Sequence, residues 1–161
     1  MSSDNITSLL LQGSCFCLNE DPIFPFSNLF NQNETSYLKS SADEQLIIYI
    51  QLNQTCRLNS IQFDIPVQSN SCPSTVKIFA NPMTSISFSD VSDMPFAHKA
   101  NVTNDKKTCV VNLPPLKFKA IDSIAIFIEA NHGDEKTILN GLRIYGAQIG
   151  ITTDVSKIKS C

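Results

Sequence analysis

Three groups of residues in this chain are of types that do chemistry. Cys15-Phe16-Cys17 places two thiols either side of a single phenylalanine. Such a pair could exchange with a disulfide or help hold a metal ion. A zinc site takes about four ligands, and only His98, His132 and distant cysteines are there to complete one. The spacing also differs from the Cys-x-x-Cys of thiol exchange. The pair reads as two thiols beside a docked N-terminal segment. Asp43-Glu44 is a pair of adjacent carboxylates. Hydrolytic carboxylates must face each other across the bond they break, whereas strand neighbours point to opposite faces. These two read as polar residues leading into a buried strand. His132 lies in the turn Asn131-His132-Gly133-Asp134-Glu135, where nearby carboxylates could tune a general base. No Gly-x-Ser-x-Gly or similar nucleophile setting accompanies it, and the five glycines form no phosphate-binding run. The expectation is a protein that is not an enzyme, with no metal and no cofactor.

Length and composition narrow the classes further. The 161 residues suit one domain, and a chain of that length buries roughly 70% of its unfolded surface without covalent staples. Charged residues make up only 17%, so Ser, Thr, Asn and Gln must supply much of the polar surface. The net charge is −3 and no basic run is longer than Lys106-Lys107. Capture of nucleic acid or of an anionic membrane needs a basic face, so neither is expected. No apolar stretch approaches the ~18 residues of a membrane span. The opening Met1-Ser2-Ser3-Asp4-Asn5 lacks the basic start of a secretory leader. The expected address is the cytoplasm, with the nucleus as a second compartment. In that setting Cys15, Cys17, Cys56, Cys72, Cys109 and Cys161 are expected as free thiols that pack as small apolar groups. The sequons at Asn5, Asn33, Asn53 and Asn101 have meaning only in a secreted protein.

The elements that must position these residues are strands. Residues 3–12 are predicted as a short helix that docks Leu9, Leu10 and Leu11. Residues 15–33 are irregular, with Phe16, Phe24, Phe26 and Phe30 wrapped on a core. Residues 46–52 read as a buried strand, Asn53-Gln54 as its turn, and residues 57–65 as an alternating strand with Ile61, Phe63 and Ile65 on one face. Residues 66–73 are a loop, and residues 75–79 a strand stopped at Asn81-Pro82. Residues 82–107 are the least regular, although Ile86 and Phe88 alternate as in a short strand. Residues 109–113 and 116–118 read as strands split by Pro114-Pro115 at an edge. Residues 121–129 form the clearest strand, with Ile124, Ile126 and Ile128 on one face. A last strand over residues 138–145 is closed by Gly146. Short strands, turn signals and no long helix predict an all-β sandwich, and the long cross-connections suit a jelly roll with long irregular loops. The division is an N-terminal extension or helix over 1–14, the sandwich over 15–150 and a tail over 151–161.

Order and spacing of several blocks resemble the PITH domain, the proteasome-interacting C-terminal module of a thioredoxin-like protein that also occurs alone. The resemblance is carried by Cys17-Leu18-Asn19-Glu20, Tyr37-Leu38 and Asp43-Glu44-Gln45-Leu46. It continues through Phe63, Val76-Lys77-Ile78-Phe79-Ala80-Asn81 and Phe88 near Ser89-Asp90. The last block is Ile124 to Glu129, then Asn131, Gly133, Glu135, Thr137 and Gly146. Membership implies a jelly-roll sandwich similar to galactose-binding-like domains. It also implies a non-enzymatic role, docking on the 26S proteasome regulatory particle. The chain contains no Cys-x-x-Cys, so reductase chemistry is not implied.

The expected function is that of a monomeric, non-catalytic protein-interaction module whose loops present polar contacts on a rigid scaffold. The expected contact residues are Asp43, Glu44 and Gln45 with Asn131, Gly133, Asp134 and Glu135. The same residues can brace their loops by hydrogen bonds to local backbone. The alternatives are a carbohydrate-binding sandwich module and a thiol redox protein using Cys15 and Cys17.

Overall fold

The apolar run that starts at Leu46 becomes the strand on which the whole molecule is organised. The computed structural model describes residues 4–30 and 35–149. In chain order the strands are β1 (Asp4–Asn5), β2 (Phe16–Leu18), β3 (Leu38–Lys39), β4 (Leu46–Asp64), β5 (Pro73–Ala80), β6 (His98–Asn101), β7 (Thr108–Asn112), β8 (Ile121–Asn131), β9 (Ile138–Leu139) and β10 (Gly141–Gln148). Among the described residues one α-helix, α1 (Phe88–Asp93), lies between β5 and β6. All pairings are antiparallel, in the order β1-β10-β4-β8-β5-β6, with β2 and β7 also paired to β4 and with β3 paired to β9.

β4 belongs to both layers of a jelly-roll β-sandwich. Its first half pairs with β8, from Leu46↔Ile128 to Gln51↔Ser123, and with β2. Its second half pairs with β10, from Cys56↔Gln148 to Asp64↔Gly141, and with β7. The expected turn at Asn53-Gln54 does not form. The chain stays in the strand, and the polar pair is extruded where the register against β8 slips between Gln51 and Cys56. Leu52 and Cys56 are both buried and hold the strand on either side of this irregularity.

Burial explains why residues 46–50 are apolar without alternation. One face of β4 and β8 carries Ile48, Ile50, Ile124, Ile126 and Ile128 into the main core, which Ile61, Phe63, Ile65 and Ile144 complete. The other face carries Ile47, Tyr49, Ala125 and Phe127 into a second cluster with Phe79, Ile86 and Val91. Phe16 on β2 stacks on Tyr49 at 4.9 Å and Phe88 meets Phe127 edge-on at 6.2 Å. A strand covered on both faces reads as a continuous apolar run.

Four further expectations are corrected. Ile86 and Phe88 do not make a strand, because Ser87 ends the extended chain and starts α1. The Asp90 carboxylate accepts the Ser87 N–H at 2.9 Å, the reach-back half of a capping box. Residues 116–118 are a turn, since two prolines without N–H groups precede them. There the Lys117 N–H donates to the Pro114 carbonyl at 3.2 Å, and Phe118 is buried as a plug. The N-terminal helix exists only as two 3-10 turns, Thr7–Leu9 and Gln12–Ser14. Ile6 and Leu10 are the buried anchors there, and Leu11 is exposed. The last strand is interrupted at Asn140 and runs past Gly146 to Gln148. Gly146 sits at a bulge where a Cβ would lie 2.0 Å from the Arg57 carbonyl oxygen. The tail over 151–161 lies outside the described residues.

Candidate interaction site

The end of β8 and the start of β4 lie side by side, so the loops that flank them meet at one end of the sandwich. Asn131 ends β8, and its side chain organises the turn that follows. Its Oδ1 accepts the N–H groups of Gly133 at 2.9 Å and Asp134 at 3.1 Å. Its Nδ2 donates to the Lys136 carbonyl at 3.0 Å and the Thr137 hydroxyl at 3.1 Å. Gly133 has φ of 123°, which a side chain would resist. Thr137 then reaches the other loop. Its hydroxyl donates to the Glu44 carbonyl at 2.6 Å, and its N–H donates to the buried Ser40 hydroxyl at 2.8 Å. Lys136 Nζ donates to the Ser41 carbonyl.

Asn19 braces the first loop from a third direction. It adopts φ of 72°, which asparagine tolerates better than most residues. Its Nδ2 donates to Asp43 Oδ1 at 2.9 Å and to the Gln45 carbonyl at 2.7 Å, and its Oδ1 accepts from the Ala42 N–H at 3.0 Å. Gln45 Nε2 donates to the Glu129 carbonyl at 3.2 Å, tying the loop to β8.

The structure therefore brings together both groups of expected contact residues. Asp43, Gly133, Asp134 and Glu135 face solvent, while Glu44, Gln45 and Asn131 are half-buried. Asn19, Ser40 and Thr137 were not among the expected site residues, yet they join the loops. Ser40 and Thr137 lie close to the acidic pairs in sequence, and Asn19 and Thr137 stand in the blocks that carry the PITH resemblance, which are the signals that could have found them. The result is a rigid rim bearing three exposed carboxylates, suited to polar and charge contacts with another surface.

The chemical candidates are placed differently. Cys15 Sγ accepts the Gln51 N–H at 3.3 Å, and burial pushes its thiol up despite that bond. Burial raises Cys17 much further, with Glu20 adding to the effect. High thiol pKa values leave little thiolate at neutral pH, the opposite of a redox centre. His132 Nε2 lies 2.8 Å from the Val102 carbonyl, so the ring is committed to a backbone bond. Among the described residues no three His, Cys, Asp or Glu side chains gather as a metal site would need. A hollow of about 660 Å³ opens beside the start of β10, where Asp64 and Arg143 satisfy each other with two contacts of 2.9 Å.

The architecture is that of galactose-binding-like sandwiches. It superposes on the family 32 CBM of Clostridium perfringens NanJ, solved in complex with galactose, with a TM-score of 0.67 at 12% identity, covering 89% of this chain and 99% of that one. The C-terminal domain of a chitobiase from Bacteroides fragilis gives 0.62 at 12% identity, covering 91% and 95%. Likeness at these identities is of fold alone. The PITH domain family matches residues 1–161, and the chain belongs to that family. It is also 30% identical over 139 residues to "Thioredoxin-like protein 1" of Schizosaccharomyces pombe (strain 972 / ATCC 24843), covering 83% of this chain. The chain spans about half the length of that relative, 48%.

Proposed function

We propose that this chain is a non-catalytic protein-interaction module of the cytoplasm that docks on the proteasome regulatory particle. The contact surface is the rim formed by residues 40–45 and 131–137. Membership in the PITH family and similarity to a thioredoxin-like protein support the interaction role. The observation that carries the choice of surface is the bracing itself. Thr137 and Asn131 lock both loops, so Asp43, Asp134 and Glu135 are displayed at fixed positions with little entropy left to lose on binding.

The test is capture from cytosolic extract by the tagged, intact chain, with regulatory-particle subunits quantified by mass spectrometry. The double substitution Asp134→Lys with Glu135→Lys reverses the charge of the exposed turn without touching a buried contact. Capture should fall roughly tenfold, because like charges opposed across an interface weaken it, while the melting temperature stays unchanged. Undiminished capture removes this rim as the contact surface. Absence of proteasome subunits from both samples overturns the proteasome as the partner.

A further inference from the structure

β5 and β8 run side by side, and the acidic rim sits where β5 starts and β8 ends. The opposite ends of the same two strands carry different chemistry. Asn81, just past β5, holds the start of β8. Its Oδ1 accepts from the Asp122 N–H at 2.8 Å and its Nδ2 donates to the Ala120 carbonyl at 3.1 Å. That clamp places the turn over residues 114–120 beside the chain that leaves β5. Between them lies a groove of about 350 Å³, floored by Phe79 and lined by Met83, Met94, Phe96 and Lys117.

Two independent features of this groove point to an occupant. The first is apolar exposure. Met83 is 66% exposed, Phe96 42% and Leu116, next to the lining residue Lys117, 83%. Among the described residues the other large exposed apolar side chains, Leu11, Ile23, Val67 and Val110, line no part of it. Clustered exposure of this kind marks an interaction surface, whereas single exposed residues do not. Methionine also adapts its shape to varied apolar partners. The second feature is charge. Lys77 is held over the Phe96 ring at 5.5 Å and paired with Glu129 at 3.3 Å. Lys117 and Lys119 are exposed and have no side-chain partner among the described residues. Lys117 lines the apolar groove itself and Lys119 follows two residues on, so an unpaired cation there selects an anion beside an apolar anchor.

We infer that this groove is a docking site for a segment of a partner protein that presents an apolar side chain flanked by acidic residues. A second copy of the chain would have to offer Ile23, which is 76% exposed beside Asp21, and self-association that Met83→Ser abolishes would assign the groove to that copy instead. A lipid surface fits less well, because the site is concave and the whole chain has a net charge of −3. With the acidic rim at the opposite end of β8, the module has two surfaces of complementary character.

The experiment pans a random-peptide phage library on the immobilised, intact chain and measures synthetic copies of the recovered peptides by fluorescence anisotropy. The expected peptides share an apolar residue with Asp or Glu beside it. Their affinity should fall roughly tenfold with the exposed substitution Met83→Ser and again with Lys117→Glu plus Lys119→Glu. Their binding should shift the methyl resonances of Met83 and Met94. The double substitution Asp134→Lys with Glu135→Lys should leave peptide affinity unchanged, which separates this site from the rim. Failure to recover peptides, recovered peptides without an acidic flank, or affinity insensitive to these substitutions overturns the inference. So does sedimentation with phosphatidylserine–phosphatidylcholine vesicles that depends on Lys117 and Lys119, which would assign the patch to a membrane.

Discussion

Thr137 donates its hydroxyl proton to the Glu44 carbonyl at 2.6 Å, joining loops that are 93 positions apart in the chain. Thr137 is fully buried, so its polar groups have no water to fall back on. Thr137→Val keeps the shape but leaves the Glu44 carbonyl and one Asn131 amide hydrogen without that partner. An unsatisfied buried group costs about 1–3 kcal/mol. We expect a loss of about 2 kcal/mol in urea denaturation and faster hydrogen exchange at residues 42–45. Normal stability with slow exchange would show that the loops are held by other contacts.

Gly146 lies where β10 bulges against β4. A Cβ there would stand 2.0 Å from the Arg57 carbonyl oxygen, a backbone atom that cannot rotate away. Gly146→Ala should destabilise by about 3 kcal/mol, at the upper end for overpacking. Gly13, where a Cβ meets nothing within 4 Å, is the control, and its alanine variant should change stability by less than about 0.5 kcal/mol. Equal urea midpoints for the two variants would contradict the close approach.

The legible parts of this fold are those in which a local pattern decides the outcome. Ile124, Ile126 and Ile128 alternate because β8 faces the main core, and they read as a strand at sight. Leu46 to Ile50 read as buried because both of their faces are covered. The parts that misled are those in which a distant contact overrides the local signal. Asn53-Gln54 looks like a turn, yet β8 and β10 hold the chain extended through it. Ile86 and Phe88 alternate like a strand, although the Ser87 and Asp90 capping box was there to be read. The acidic pairs of the candidate site are visible in sequence. That Thr137 and Asn19 lock them is not, because those bonds depend on backbone carbonyls brought close only by the sheet.

Asp64 and Arg143 form an ion pair in which both carboxylate oxygens lie 2.9 Å from Arg143 Nη2. The carboxylate also accepts from the Thr108 hydroxyl at 3.2 Å. The Arg143 side chain is 39% exposed, so solvent screens much of the attraction. Asp64→Asn should therefore cost only about 1 kcal/mol, and less at high salt, where the pair is already weakened. Urea midpoints at low and high ionic strength measure this directly. A loss several times larger, or one that grows with salt, would mean that the carboxylate holds the β4–β10 edge together by something other than charge.

Cys72 is fully buried, and its thiol pKa is pushed from the ordinary 9.0 up to about 12 by burial, with a smaller contribution from the charge of Cys109. Between those values the unfolded chain has released the proton and the folded chain still holds it. Stability changes with pH in proportion to the protons bound in the unfolded state minus those bound in the folded one. That difference is negative here, so the contribution is complete below pH 9 and shrinks as pH rises toward 12. Urea midpoints measured from pH 7 to pH 10.5 should fall at the alkaline end. Cys72→Ala should start lower, because it leaves a cavity, but decline less steeply over the same range. Parallel curves for the two proteins would show that other groups cause the alkaline loss. The same raised pKa predicts that iodoacetamide alkylates Cys72 at pH 7.5 far more slowly than a model thiol, and prompt labelling of the folded chain would contradict both the burial and the shift.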